Sequence, residues 1–196
     1  NSVWLKDNVT LDSNTTETTA PDGTNTATKL TTTSDSGVHR IKVVNFQLGP
    51  NQYAYSLWVK ANTGNHVLLK IYKGPTGGNP ASGNLLYKRV KINSDGTTTI
   101  TGNDGTIIIE KYPNGWYKLK GTTKVDPQSA TANASILFNV LQNDGSGETF
   151  VGSGESVYVW GAQLEQSTVC TSYIPTSGAT ATRTADIFTS TATEVL

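Results

Sequence analysis

The chain has 196 residues, and 15 Lys and Arg residues balance 15 Asp and Glu residues, so its formal net charge at pH 7 is zero. This length fits one β-rich domain. The lack of charge runs disfavours capture of nucleic acid or of an anionic membrane, so we expect a partner that is neutral or recognised by shape. No apolar stretch reaches the roughly 20 residues of a membrane helix, and no signal-peptide layout opens the chain, so we expect a soluble protein. The single cysteine, Cys170, excludes an internal disulfide.

The composition favours strands joined by tight turns. The chain contains 31 threonines, whose branched Cβ suits extended backbone, and 19 glycines, which supply the positive φ values of turns. Methionine is absent, so we expect a module excised from a longer polypeptide. In chain order, period-two alternation predicts strands at 3–5, 26–32, 39–48, 53–61, 66–72, 85–92, 97–101, 107–112, 116–125, 135–141 and 156–164.

The clearest strand is 53–61, where two sets of side chains alternate. One set is expected to face the core: Tyr53, Tyr55, Leu57, Val59 and Ala61. The other set points outward: Ala54, Ser56, Trp58 and Lys60. Clusters of Gly, Pro, Asn and Asp separate the strands at 49–51, 74–78, 94–96, 103–105, 113–115 and 143–147. About ten strands at this spacing predict an all-β, two-sheet antiparallel sandwich, most simply a jelly roll.

The ends of the chain carry less periodicity. Residues 1–25 are rich in Thr, Asn and Asp, so we expect them to wrap the sandwich as a loop with one short strand. Residues 1–187 are predicted to form one module, and 188–196 a tail or a linker to a downstream region.

Two neighbouring segments carry a long motif: VYVWGAQLE at 157–165, and 171–186 with TSYIPTSGAT and TRTAD. Shorter matches are APDGTNTA at 20–27, SLWVKA at 56–61 and NGWY at 114–117. Together they resemble a carbohydrate-binding-module-like β-sandwich of bacteriophage tail, fibre and other virion proteins, related to family 4 jelly-roll sugar binders. The resemblance implies a non-catalytic recognition or architectural role in a virion. Its motif residues are Trp116, Tyr117, Trp160, Gly161, Gln163, Glu165, Tyr173, Pro175, Arg183 and Asp186.

Sugar binding needs flat aromatic surfaces beside fixed polar groups. Trp58 faces outward with Ser56 and Lys60, and either floors a groove or is packed beneath loops. Tyr72 and Tyr87 alternate away from the core on neighbouring strands and are further candidates. Trp116 and Trp160 are expected to be structural, with Gly161 marking a close backbone approach.

Other polar residues have anchoring roles. Gln163 and Glu165 are placed to hydrogen-bond the 172–175 segment and hold the C-terminal tail on the sandwich. Arg183 near Asp186 has a comparable explanation.

No cofactor is required by the sequence, and a structural calcium ion is the one candidate. Asp7, Asp12 and Asp22 supply hard oxygen ligands in the N-terminal loops, where related jelly-roll modules hold calcium. Asp22-Gly23 is equally typical of an ordinary turn.

The sequence gives little support for a catalytic site. Glycoside hydrolysis needs paired carboxylates, and nothing in the sequence pairs Glu110 with Glu165. His39 and His66 lack a nucleophile elbow. We therefore expect no enzyme activity.

The sequence favours a virion glycan-binding module, displayed on the particle surface, that contacts bacterial surface glycan. Its partners would include other virion proteins and its own copies, as in a trimer. Two alternatives remain open: an architectural virion domain with protein contacts only, and a targeting module of a secreted polysaccharide-degrading enzyme.

Overall fold

A computed structural model describes residues 4–74, 83–126, 131–143, 145 and 147–176. Arg183, Asp186 and the 188–196 tail lie outside the described residues. The described residues form thirteen strands and a short 3₁₀ turn, Pro113–Gly115. The strands are β1 (Leu5–Asp7), β2 (Val9–Ser13), β3 (Thr28–Thr32), β4 (Ser36–Leu48), β5 (Ala54–Ala61), β6 (His66–Lys73), β7 (Gly83–Ile92), β8 (Thr98–Asp104), β9 (Ile108–Lys111), β10 (Trp116–Thr122), β11 (Ala132–Val140), β12 (Thr149–Val151) and β13 (Ser156–Glu165).

The strands form two sheets in which every pairing is antiparallel. Sheet I has the order β1-β4-β11-β6-β7-β8, and β12 also pairs with β4. Sheet II has the order β2-β3-β13-β5-β10-β9. This confirms the predicted all-β, two-sheet jelly-roll sandwich.

The core lies between the sheets and follows the alternation of the strands. Tyr53, Tyr55, Leu57 and Val59 all belong to it, as predicted, and Ala61 packs against it. Sheet I contributes inward residues such as Ile71 and Phe138. Because alternate residues of each strand face the core, the remaining residues point outward. They form the two outer faces of the sandwich, where a ligand can contact the strands.

The N-terminal region holds more strand than the sequence predicts. The chain passes from β1 in sheet I to β2 in sheet II through Asn8, whose φ of 49° reverses its direction. Asn tolerates this left-handed conformation better than most residues. β2 and β12 were missed because they are short edge strands, where alternation is hard to detect.

Across the described residues, no helix has the length and apolar character needed to cross a membrane.

Candidate ligand-binding site

Trp58 points outward from sheet II, but it is not an open surface. Its neighbours across the sheet are Lys118 on β10 and Trp160 on β13. The Trp160 and Tyr173 rings approach edge-on, with centroids 5.1 and 6.1 Å away, and Lys118 Nζ lies 4.3 Å from the Trp58 centroid. The side chain is 5% exposed. The idea that Trp58 floors an open groove is therefore corrected: it lies in a second apolar cluster on the outside of sheet II.

Residues 15–27, here called the N-terminal cover, pack over the Trp116 and Tyr158 part of this face. Trp116 Nε1 donates to the Thr19 carbonyl at 2.9 Å, and Lys60 Nζ donates to Thr18 Oγ1 at 2.9 Å. The Tyr158 hydroxyl donates to Glu17 Oε2 at 2.8 Å. Lys60 is thus engaged in holding the cover.

Gln163 bonds the C-terminal tail within the predicted 172–175 segment, whereas Glu165 bonds the residue just before that segment. The Ile174 amide donates to Gln163 Oε1 at 2.8 Å, and the Thr171 amide donates to Glu165 Oε1 at 3.1 Å. These bonds bring Tyr173 against Trp160, with ring centroids 4.7 Å apart. Pro175 follows as an exposed residue near the end of the described tail.

Gly161 lets the tail and Trp58 meet. It has a φ of 62° and lies in an irregular stretch of β13 where the register with β5 shifts. A Cβ added to Gly161 would lie 2.9 Å from Cε3 of Trp58. Only glycine fits this close approach without strain.

A cavity of about 360 Å³ opens beside the same stretch of β13. The pairing of β3 with β13 ends at Val159, next to the residues of β13 that line the cavity. Ser56, Gln163 and Trp160 contribute to the wall, and most of the remaining lining is apolar. Ser56 Oγ is buried and has no hydrogen-bond partner among the described residues. The cavity lining is therefore mainly apolar.

The outer face of sheet I is the more accessible aromatic surface. Tyr87 on β7 lies directly across from Lys70 on β6, while Tyr72 pairs with Asn84. A register shift between Ile71 and Tyr72 accompanies this pairing. Lys70, Tyr72, Tyr87 and Arg89 are half-buried. We call these four residues the tyrosine face.

Polar partners fix the Tyr87 ring. Arg89 Nη2 donates to the Tyr87 hydroxyl at 3.0 Å, and that hydroxyl donates to Glu148 Oε1 at 2.8 Å. Lys70 Nζ lies 5.7 Å from the Tyr87 centroid. Burial, aided by the Glu148 carboxylate and opposed by Arg89, raises the pKa of Tyr87. The hydroxyl is therefore a proton donor at neutral pH.

A loop forms a wall at one end of the tyrosine face. Arg89 Nη1 donates to the Gly145 carbonyl at 2.9 Å. Asn143 Nδ2 donates to the Thr63 carbonyl at 3.1 Å, which ties the loop to the β5–β6 turn. Leu68, paired with Arg89 across the sheet, has no exposed surface. The loop end of this outer face is thus closed, whereas the two tyrosines are only half-buried.

Sequence reasoning missed three residues of this site. Lys70 and Arg89 lie two positions from Tyr72 and Tyr87, so alternation alone places them on the same face. Glu148 comes from a loop 61 residues from Tyr87, and no pattern in the sequence connects the two.

The three aspartates proposed for calcium do not form one site. Asp7 accepts bonds from Arg40 and Lys42, each at 2.7 Å, and Asp22 accepts from the Thr24 amide within its own turn. Among the described residues, no three His, Cys, Asp or Glu side chains group as metal ligands. Because two cations already neutralise Asp7, this carboxylate does not fit a calcium ion.

The other titratable candidates have structural partners. Glu110 pairs with Lys120 at 2.5 Å, and Glu165 holds the tail. The buried His39 ring lies between the carbonyls of Asn8 and Phe150, at 2.7 and 3.2 Å. Tyr117 faces the core and donates to the Gly96 carbonyl at 3.0 Å.

No family model and no curated protein sequence matches this chain. Among solved structures, it is similar to the CBM22-2 xylan-binding domain of Paenibacillus barcinonensis Xyn10C, with 11% identity and a TM-score of 0.48 over 85% of this chain and 92% of that one. A CBM4 structure gives 14% identity and a TM-score of 0.41 over 76% and 74%. The K1 cleaved adhesin domain of Lys-gingipain from Porphyromonas gingivalis gives 8% and 0.44 over 85% and 92%. At these identities and TM-scores, the similarities do not identify a ligand.

Proposed function

We propose that this chain is a non-catalytic glycan-binding module and that the tyrosine face is its ligand surface. The observation that carries the proposal is the pair of half-buried tyrosines on adjacent strands, with the Tyr87 hydroxyl held between Arg89 and Glu148. An aromatic ring whose orientation is already fixed loses little conformational entropy when a ligand binds.

The chemistry of the face suits a sugar. Pyranose rings present apolar C–H groups on their faces, which pack on aromatic rings, and hydroxyls at their edges, which need hydrogen-bond partners. Tyr72 and Tyr87 offer the first kind of contact. Lys70 offers donors, and the remaining lone pairs of Glu148 offer acceptors. Few anchors on an open face favour weak binding at each site.

We propose binding without hydrolysis. A glycosidase places two carboxyl groups about 5–10 Å apart across the bond, one of them as an acid. On sheet I, Glu148 accepts a hydrogen bond from the Tyr87 hydroxyl, and Asp7 is held by Arg40 and Lys42. Asp104, which pairs with Tyr87 across the sheet, accepts from Lys124 at 2.8 Å. All three carboxylates are engaged with donors, so none is set up to protonate a leaving group.

The finer part of the proposal is a virion setting, in which the module contacts glycan on a bacterial surface. The sequence motif over 157–186 supports it. Several copies on one particle would raise a weak affinity through effective concentration. The architectural role and the role as a targeting module of a secreted enzyme are the alternatives.

Glycan-array binding, followed by affinity electrophoresis in the polysaccharides that score, tests the proposal. Tyr72→Ala and Tyr87→Ala should each weaken retardation about tenfold, since each removes an aromatic contact of the order of 1 kcal/mol or more. Tyr112→Ala is the matched control, because Tyr112 is exposed and lies directly after β9 of sheet II, away from the tyrosine face. Equal effects of all three substitutions, with the fold intact, would contradict the assignment of the site. No binding by the parent chain, together with stable trimers, would favour the architectural role.

A further inference from the structure

Lys70 on the tyrosine face is a cation that forms no salt bridge with a described carboxylate. Its ammonium group contacts the Tyr87 ring. Among the described residues, it has no hydrogen-bond or ion-pair partner. A ring quadrupole attracts a cation only weakly and leaves its N–H groups unpaired.

The other cations near it are already engaged. Arg89 donates to the Tyr87 hydroxyl and to the Gly145 carbonyl. Arg40 and Lys42 share the Asp7 carboxylate. Lys70 is therefore the cation of this group that is left to meet an incoming anion.

The position of Lys70 matches a charged substituent on a stacked sugar. It lies across the sheet from Tyr87 and two residues from Tyr72 on the same face of β6. A pyranose lying on the two rings would carry its exocyclic groups within reach of this side chain. A carboxylate or sulfate there would form charge-assisted hydrogen bonds, which are stronger than bonds to a neutral hydroxyl.

We infer that the tyrosine face selects anionic glycans, carboxylated or sulfated, with Lys70 as the residue that recognises the charge. The inference rests on the proposed glycan-binding function. The zero net charge of the chain led us to expect a partner that is neutral or recognised by shape. This inference differs because it depends on the local charge of Lys70 and not on the net charge.

Matched pairs of polymers test the inference. Polygalacturonate against its methyl ester isolates the carboxylate on one backbone, and dextran sulfate against dextran isolates the sulfate. Affinity electrophoresis should show the anionic member of at least one pair binding about tenfold more tightly, with the preference decreasing at higher salt. The pair that shows the preference identifies the anion.

Lys70→Gln should abolish that preference, measured as the ratio of anionic to neutral binding, because the variant keeps an N–H donor and loses the charge. Lys111→Gln removes the same charge from exposed β9 and should keep it. Equal loss in both variants would indicate ion exchange with the whole surface and overturn the inference. Equal binding of charged and neutral polymers by the parent chain would also overturn it and leave glycan binding standing. No binding in the array or to any polymer would overturn the proposed function itself.

Discussion

The two outer faces of the sandwich carry similar residues and meet solvent differently. On sheet II, Trp58, Trp116 and Tyr158 point outward and are buried under the N-terminal cover and the tail. On sheet I, Tyr72 and Tyr87 point outward and stay half-buried. The difference teaches that alternation decides which way a side chain points, whereas segments without periodicity decide whether a ligand can reach it.

The largest expected effect comes from removing the main anchor of the N-terminal cover. Trp116 is 1% exposed, and its indole is bonded to the Thr19 carbonyl. Trp116→Ala should lower the free energy of unfolding by about 3–5 kcal/mol, because it leaves a large cavity. Tyr72→Ala on the open face should lower it by about 1 kcal/mol or less. Denaturant unfolding measures both, and equal losses would mean that the two faces do not differ in cover.

A second prediction concerns Glu155, which lies between β12 of sheet I and β13 of sheet II. Because this segment joins the two sheets, a change in its stability should affect both outer faces alike. Burial tends to raise the pKa of Glu155, but hydrogen bonds from the Ser153 amide and hydroxyl and from Thr32 outweigh it and lower the pKa to about 2. A lowered carboxyl pKa stabilises the fold above the unfolded value of 4.5, and this contribution is lost as the pH falls toward 2.

Unfolding measured between pH 5 and pH 2 checks this. The parent chain should lose roughly 2–3 kcal/mol over that range through Glu155, and Glu155→Gln should be less stable at pH 7 with a flatter profile. Glu110→Gln, a more exposed ion-paired carboxylate, is the control and should keep the parent profile. Identical slopes for the parent and Glu155→Gln would contradict the prediction.

Gly161 tests how closely the tail must approach Trp58. Gly161→Ala imposes a strained φ and places Cβ against the indole, so we expect a loss of about 1–3 kcal/mol. Gly154→Ala is the matched control, since Gly154 has a φ of 87° with nothing within 4 Å of an added Cβ. The excess loss at Gly161 measures the contact with Trp58. Equal losses of stability in the two variants would mean that backbone strain alone accounts for the effect of Gly161→Ala.

Much of the strand framework is readable from the sequence. Alternation over 53–61 places Leu57 inside and Trp58 outside, and both directions are as predicted. Gly161 also signals its own role, because a glycine beside a large indole marks a close approach. These features depend on neighbours within a few residues, which is the range over which sequence patterns carry information.

The accessibility of the site depends on distant residues. Glu17 meets Tyr158 across 141 positions, and Glu148 meets Tyr87 across 61. The loops that carry Glu17 and Glu148 show no hydrophobic periodicity that would identify the face against which each one packs. The covered state of Trp58 and the polar frame of Tyr87 therefore could not be predicted, although both follow from ordinary hydrogen bonds once the loops are placed.

The smallest expected effect is a gain in stability on sheet I. Asn139 pairs in register with Arg40 and Leu68 on the outer face and is 1% exposed, and neither of its amide atoms has a hydrogen-bond partner among the described residues. An unpaired buried amide costs about 1–3 kcal/mol. Asn139→Leu, which keeps a similar volume, should therefore raise the free energy of unfolding by about 1 kcal/mol. Asn133→Leu on the same strand is the control, because Asn133 is exposed and bonded to Gln47.

Asn139 also tests whether the ligand surface extends beyond the tyrosine face. It lies one cross-strand row from Lys70, toward the loop around Gly145. If Asn139→Leu stabilises the chain and leaves glycan binding unchanged, the loop simply covers this end of the face, in the way that residues 15–27 cover sheet II. If the substitution destabilises the chain, the amide is satisfied by bound water, and the predicted gain is wrong. Loss of binding without loss of stability would mean that the ligand surface continues beneath the loop. The two outer faces would then differ less in how their covered parts are used.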